Sequence, residues 1–516
     1  MKSGLVTVVF LLFLLVRIFV PSPDCFLSLD EAKYLTLARS FPRHLLFNNQ
    51  FYTVHPPLFP GVIRLLSQVF PDHIAGIAVS LLFSVVTFWA LVCLFRLLGK
   101  DRYWITIALF ILAVSPLHIP TSRVIYKDSL FLGLFTLSLY LFVRGVIRPS
   151  IPVLLGAGGA AAACCLTSDL ALSLVPCFAA AYFIFRPRGG HLKAVLLPVL
   201  LLLAVYGCWL GVRWRIFTEN IFYPAGVDGM IEYVHDFTAR HLFTPRYFPA
   251  TRTMFNFSPD LSEFRINANV YPLSPLIVLP GFMYTVFYAF IAVIAVYGVF
   301  RAVMRRRLRR SADLFFAVML ALFSLPVILH PEPRFLIPVL LPMSYFFARG
   351  LSMLAGCFTR PLVIGKVLAG LLVGILAAAA AMHLTGARRL VFLQRKEVEA
   401  WRTAAFLDSL PGDGVMAQVG YPPELAYLTG KRVLALPVSP AFLDDFIRRY
   451  SIQYLLYGQR YLAPLNTDDP SLIWCYYTIK HIRAHPEKYP LIRVIEETYR
   501  SGAPPDLIFV HGVRRK

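Results

Sequence analysis

The sequence predicts an α-helical polytopic membrane protein with about eleven transmembrane helices, surface helices in its first loop, and a small C-terminal α/β domain on the exoplasmic side. Three observations predict it. The chain is 58% apolar or aromatic and 15% charged over 516 residues, against about 45–50% and about 25% in soluble domains, and its mean hydropathy is +0.66. The apolar residues gather into runs long enough for a hydrocarbon core, which takes about 20 residues. The excess of basic residues, a net charge of +22, sits in short clusters between those runs, the pattern of membrane loops rather than of a nucleic-acid surface. An aromatic content of 14% excludes disorder, and eight cysteines in so long a chain exclude a disulfide scaffold.

The runs fall near residues 4 to 20, 73 to 98, 103 to 120, 126 to 145, 151 to 167, 170 to 186, 193 to 212, 275 to 300, 312 to 329, 335 to 356 and 364 to 383. With a cytoplasmic N-terminus, alternate connections carry Lys2, Lys100, Arg102, Arg144, Arg148, Arg186, Arg188, Lys193, the run Arg301 to Arg310, Arg349, Arg360 and Lys366. That is the positive-inside pattern. The other connections hold the paired acids, the long loops and the C-terminal region, which places these outside. The first run could instead be a cleaved signal, but no small-x-small site follows it, and Arg17, Pro21 and Pro23 suit the outer end of an anchor helix. Six cysteines fall in or beside the runs. Cys25 and Cys475 are the two in exoplasmic regions, and no CxxC or metal-spaced Cys/His cluster occurs.

The loop from 21 to 72 predicts two helices. Ser28-Leu29-Asp30-Glu31 reads as a capping box, followed by Tyr34, Leu37, Ala38 and Phe41 on one face of a helix lying along the membrane surface. A second begins at Pro57, since proline is favoured in a first turn, and continues to Phe70. The loop from 213 to 274 mixes aromatics with arginines and has no clear period. The composition divides the chain into a membrane domain, 1–387, and a soluble domain, 388–516. In the latter, helices at Trp401 to Leu410, Pro422 to Leu428 and Phe442 to Tyr450 alternate with strands at Val415 to Val419, Arg432 to Leu436 and Tyr454 to Tyr457, with further strands at Ile492 to Glu497 and Leu507 to Val510. Such alternation predicts an α/β domain.

Charged residues are costly within apolar helices, and four groups of them converge on the outer ends of the runs. In Asp30-Glu31-Ala32-Lys33-Tyr34, Lys33 and Tyr34 share the face of Asp30 on a helix. A carboxylate beside a cation and a phenol suits a base near an anionic leaving group, while Glu31 and Asp30 equally suit a capping box and a helix N-terminus. His55-Pro56-Pro57-Leu58 holds an imidazole on a rigid backbone, fit for a phosphate contact or simply an interfacial histidine. Arg123, Tyr126, Lys127 and Asp128 put positive charge on the side where it is usually depleted. Asp128 with Ser129 would also suit a helix cap. Arg334, in His330-Pro331-Glu332-Pro333-Arg334, offers a fork of donors for phosphate or for headgroups. Asp169 suits a helix cap at another outer turn.

These segments resemble a known family. DEAKY after the first run, HPPL about 25 residues on, R-x-x-Y-x-D-S at the fourth run and R-F-L-I-P-x-L-L-P at a late one are similar to the GT-C glycosyltransferases, in particular the bacterial branch of protein mannosyltransferases and lipid A aminoarabinose transferases. The tail segments PGDGVMAQVGYPPELAYLTGKRVLALP and RYSIQYLLYG resemble the exoplasmic domain many of these carry. The resemblance implies an enzyme of the cell (inner) membrane that transfers a sugar, with inversion, from a polyprenyl-phosphate donor to an envelope acceptor. It implies no nucleic acid, contact with membrane lipids, and an unassigned metal, Mg or Mn being used by some members. Asp30 falls on the family's key acid, with Glu31 beside it, and Asp128 on its second acid. Lys33, His55, Arg334 and Arg123 would hold the donor phosphate, and Tyr34 and Lys127 would position substrate. The aminoarabinose branch has arginine at the place of Lys33 and lysine at that of His55. Lys33 keeps the charge without bidentate geometry, which points away from an aminoarabinose transferase specifically. A transporter or lipid flippase would place its ionisable groups near the midplane, and an O-antigen-type ligase would lack the early acidic pair.

The charge map predicts that a cysteine introduced near Gly412 reacts with an impermeant thiol reagent from the exoplasmic side alone. Labelling from the cytoplasmic side would invert the topology.

Overall fold

The computed structural model describes residues 4–19, 29–41, 56–98, 102–115, 118–185, 192–218, 296–297, 312–329, 338–355, 401–418, 422–436, 443–449, 451–462, 476–498 and 506–514. The membrane part comprises α1 (Gly4–Phe19), α2 (Leu29–Ser40), α3 (Leu58–Leu66), α4 (Asp72–Leu97), α5 (Arg102–Val114), the single turn α6 (His118–Thr121), α7 (Lys127–Ile147), α8 (Ile151–Cys165), a 3-10 turn (Asp169–Ser173), α9 (Leu174–Phe185), α10 (Leu192–Thr218), α11 (Ala312–Leu329) and α12 (Leu340–Ala355). Among the described residues, Asp72–Leu97 and Lys127–Ile147 are the two helices long and apolar enough to cross a membrane by themselves, and shorter apolar stretches include Leu196–Val212 within α10 and Ala312–Ser324 within α11. The predicted runs 275 to 300 and 364 to 383 lie outside the described residues apart from 296–297, so the described residues do not confirm the count of eleven. The run 103 to 120 is broken at Ser115-Pro116, as the residue before a proline resists the helical conformation.

The bundle is apolar on its outside as well as its inside. On α1, Leu5, Val8, Leu11 and Leu15 face outward while Val6, Val9, Phe13 and Val16 are buried. Leu82 and Trp89 of α4, Phe183 of α9 and Leu200 of α10 are exposed in the same way. Such a surface is stable against lipid and not against water. Small residues draw the central helices together: a Cβ on Gly133 of α7 would stand 2.7 Å from the Phe83 carbonyl oxygen of α4, and one on Gly76 would stand 2.6 Å from the Ile125 side chain.

Two buried polar contacts join helix ends. Arg17 donates to the carbonyls of Phe13 (3.0 Å) and Ala113 (2.9 Å) and to His118 Nδ1 (2.6 Å), with its guanidinium 3.5 Å over the Phe13 ring. Ala113 is in the last turn of α5, where carbonyls lack helical partners and a cation is favoured. At the start of α11, Asp313 accepts a hydrogen bond from Tyr345 Oη and lies 3.5 Å from Arg349 Nε, both on α12. The Tyr345 ring stacks on Phe316 at 4.1 Å.

The tail comprises α13 (Trp401–Ser409), β1 (Gly414–Gln418), α14 (Pro422–Thr429), β2 (Arg432–Ala435), α15 (Leu443–Arg449), β3 (Tyr454–Gly458), α16 (Tyr476–Ala484), β4 (Leu491–Glu497) and β5 (Asp506–Gly512). Its sheet runs β2-β1-β3-β5-β4. The first three strands are parallel, with Val415 beside both Val433 and Tyr454, and β5 is antiparallel to β3 and to β4. Every helix and strand predicted in the tail is present to within a residue or two; α16 was not foreseen. Alternation along the strands sends Val415, Ala417 and Leu456 to a face covered by Leu407 of α13 and Leu425 of α14. Met416, Leu455 and Tyr457 go to the face covered by Leu443 and Ile447 of α15 and Ile479 and Ile482 of α16. Cys25 and Cys475 lie outside the described residues.

On that second face His511 is held neutral. Its Nδ1 is 2.9 Å from the Tyr489 carbonyl, which can only accept, so Nδ1 carries the proton and Nε2 accepts from Tyr457 Oη at 2.9 Å. Burial pushes His511 below the usual imidazole value, only partly offset by the Tyr489 bond, and pushes Tyr457 up to about 12. A lowered pKa in the fold means that the unfolded chain binds the extra proton. The stability contributed by neutral His511 is therefore present above about pH 6.5 and lost as pH falls through that value and below. Hydrogen exchange in β5 should rise on acidification over that window and flatten in His511→Phe; an unchanged profile would refute the assignment.

Candidate functional site

One end of the bundle is built around α2. Its capping-box sequence starts a helix at Leu29, as predicted, but it does not lie open on a membrane surface. Glu31, Ala32, Lys33, Tyr34, Leu35, Leu37 and Ala38 are all buried. Three neighbours cover them. The Tyr34 ring meets Phe59 of α3 edge-on at 4.9 Å and 88°. Arg39 pairs with Asp72 of α4 at 2.5 Å. Helix α14 of the tail packs along α2, with Tyr427 against Arg39. Helical periodicity reports one apolar stripe, and a helix buried by a separate domain on its other side escapes that signal.

Glu31 is 0% exposed. Its Oε1 accepts the Ile125 N–H at 2.9 Å, a charge-assisted bond to the turn between α6 and α7. The same turn is tied to α4 by Ser80 Oγ, which donates to the Val124 carbonyl at 2.7 Å, and to α7 by Ser129 Oγ, which donates to the Thr121 carbonyl at 2.8 Å. Arg123 lies in this turn, 2% exposed, near enough to Arg17 for their charges to interact. Tyr126, Lys127 and Asp128 follow, each half-buried. The N-cap of α7 is Tyr126, without a side-chain cap bond. Asp128 therefore stands in the first turn instead of at the cap, where a carboxylate complements the helix dipole.

The first and third predicted groups are thus brought together, with Glu31 as the link. Lys33 and Tyr34 sit one turn along α2 from Asp30, whose position in the first turn is described and whose side chain is not. The second group is represented by its helix: α3 begins at Leu58, whose N–H donates to the Leu166 carbonyl at 3.0 Å in the turn before Asp169. Asp169 is exposed and opens a 3-10 turn. His55 and Arg334 lie outside the described residues. Four residues that hold this end together were not singled out by sequence: Arg17 as a buried contact, Arg39, Ser80 and His118. For Arg17 a signal was present, an arginine inside an apolar run; single hydroxyls and imidazoles at loop ends carry none. Among the described residues no three His, Cys, Asp or Glu side chains come together in a way that could hold a metal.

With this geometry in place, the comparisons agree with the motifs. Residues 54–212 match the family described as dolichyl-phosphate-mannose-protein mannosyltransferase. Among curated proteins none matches the chain. Several solved structures share its fold. An oligosaccharyltransferase from Archaeoglobus fulgidus, solved with zinc and sulfate, aligns with a TM-score of 0.54 at 11% identity over 96% of this chain and 72% of its own. ArnT from Cupriavidus metallidurans, bound to undecaprenyl phosphate, aligns with a TM-score of 0.54 at 12% identity over 99% of this chain and 98% of its own. The arabinofuranosyltransferase AftD from Mycobacteria aligns with a TM-score of 0.52 at 17% identity over 100% of this chain, which spans 42% of AftD. The fold is that of the GT-C membrane glycosyltransferases, the superfamily that the motifs resemble.

The Glu31 bond has a measurable consequence. Glu31→Gln keeps an acceptor oxygen for the Ile125 N–H, whereas Glu31→Ala leaves that buried donor without one at a cost of about 1–3 kcal/mol. Thermal unfolding in detergent should show Glu31→Ala clearly less stable than Glu31→Gln. Equal midpoints would mean that the bond does not hold α2.

Proposed function

We propose that the protein is an inverting glycosyltransferase that moves a sugar from a polyprenyl-phosphate donor to a lipid, protein or polysaccharide acceptor on the outer face of the cell membrane. The observation that carries this reading is the juxtaposition of the Asp30-Glu31-Lys33-Tyr34 helix with the turn bearing Arg123, Lys127 and Asp128, at one end of a GT-C fold. The undecaprenyl phosphate bound to ArnT and the mannosyltransferase family match support the donor class. The N-terminus is cytoplasmic and the tail exoplasmic in this reading.

Asp30 takes the proton of the acceptor hydroxyl as its oxygen forms a bond to the anomeric carbon, an effect worth about 10²–10⁴-fold. The bond from that carbon to the phosphate oxygen breaks on the opposite face, and its electron pair leaves with the polyprenyl phosphate. The extra negative charge is met by Lys33 and Arg123, whose burial strengthens such contacts, and by His55 and Arg334. Tyr34 and Lys127 position the substrates, and Asp128 is the second acid. Glu31, committed to a backbone N–H, holds the helix in place and is the lesser candidate for base.

Asp30→Asn should abolish sugar transfer while the protein still folds and retains lipid; full activity would sink the base assignment. Native mass spectrometry of the gently solubilised protein should reveal a bound polyprenyl phosphate or its glycosylated form that is lost in Lys33→Ala and His55→Ala. Bulk phospholipid alone, identical in all three proteins, would overturn the donor class.

A further inference from the structure

Arg39, in the last turn of α2, joins three elements with one guanidinium. Its Nε lies 2.5 Å from Asp72 Oδ2, in the first turn of α4. Its Nη1 donates to the Tyr427 carbonyl at 2.6 Å, and its Cζ stands 4.0 Å over the Tyr427 ring. Tyr427 is in the last turn of α14 (Pro422–Thr429), where carbonyls have no helical partner and the dipole favours a cation. Asp72 stands where the dipole of α4 favours an anion. The arginine is therefore wedged between the negative end of a tail helix and a carboxylate at the positive end of a membrane helix. The Tyr427 side chain also packs against the apolar core of the bundle. A lysine could make one of the two polar contacts but not the fork and the stack together.

We propose that Arg39 is a positioning residue: it locks α14 onto α2, so that the tail domain forms a wall of the site and fixes the helix that carries Asp30, Lys33 and Tyr34. The Arg39 side chain is 45% exposed, so the ion pair by itself adds little to overall stability. Its effect lies in where α2 is held. The consequence for phosphate binding rests on the function proposed above.

The test uses the full-length protein in detergent, with undecaprenyl phosphate as the lipid probe and Lys480→Ala, an exposed position on α16, as control. In Arg39→Ala, hydrogen exchange should rise about tenfold in residues 29–40 and 422–429 together, while residues 127–147 stay protected. The melting midpoint should hold, the dissociation constant for undecaprenyl phosphate should rise about tenfold, and Arg39→Lys should recover part of both changes. The control should match the wild type. Unchanged exchange in Arg39→Ala, or a rise in one helix without the other, overturns the proposal. So does raised exchange with unaltered lipid affinity in a protein that binds the lipid. If the wild type does not bind the lipid while the two helices loosen together, the donor reading fails and the locking of α14 onto α2 by Arg39 stands.

Discussion

A buried carboxylate bonded to a backbone N–H ties together the elements at one end of this molecule. Glu31 reaches from α2 to Ile125, in a turn that Ser80 and Ser129 also fasten to α4 and α7. A carboxyl group is stable out of water only where such donors replace its hydration. The bond therefore ties the position of α2 to that of the turn. Arg123, Lys127 and Asp128 follow from that turn, and Lys33 and Tyr34 from the helix. Had the acid stood one residue earlier or later, it would have pointed about 100° away around the helix.

Two adjacent acids thereby divide their work. Glu31 is bonded to the Ile125 N–H, and in the proposed mechanism the chemistry falls to Asp30, in the same first turn. Nearby, Arg17 spends its donors on helix-end carbonyls and on His118. A guanidinium can be buried without a carboxylate where orphan carbonyls and an aromatic face compensate its charge. This end of the bundle thus gathers positive charge on buried side chains, the arrangement that the proposed stabilisation of a leaving phosphate calls for.

The tail completes the burial of α2. Its sheet is covered by helices on both faces, so its own core is satisfied, and α14 serves two purposes, with Leu425 and Ala426 turned to that sheet and Tyr427 to α2 and the bundle. The three residues are consecutive, and a helix turns about 100° per residue, so one short helix presents separate faces to two cores.

The sequence by itself determined the mostly helical class of architecture, the starts of α2 and α7, and nearly every described element of the tail, because hydrophobic period, proline and capping residues act locally. It also placed DEAKY and the segment from Arg123 to Asp128 at the same end, since charge in apolar runs and the basic loops order the ends of helices. Only the tertiary structure decided that Glu31 binds a backbone N–H 94 residues away, that Arg17 closes the end of α5, and that α2 is covered by the tail through Arg39. Each of these joins segments far apart in the chain by hydrogen bonds of single side chains. Such contacts leave no period or composition to read, and their partners are defined only once the helices have packed.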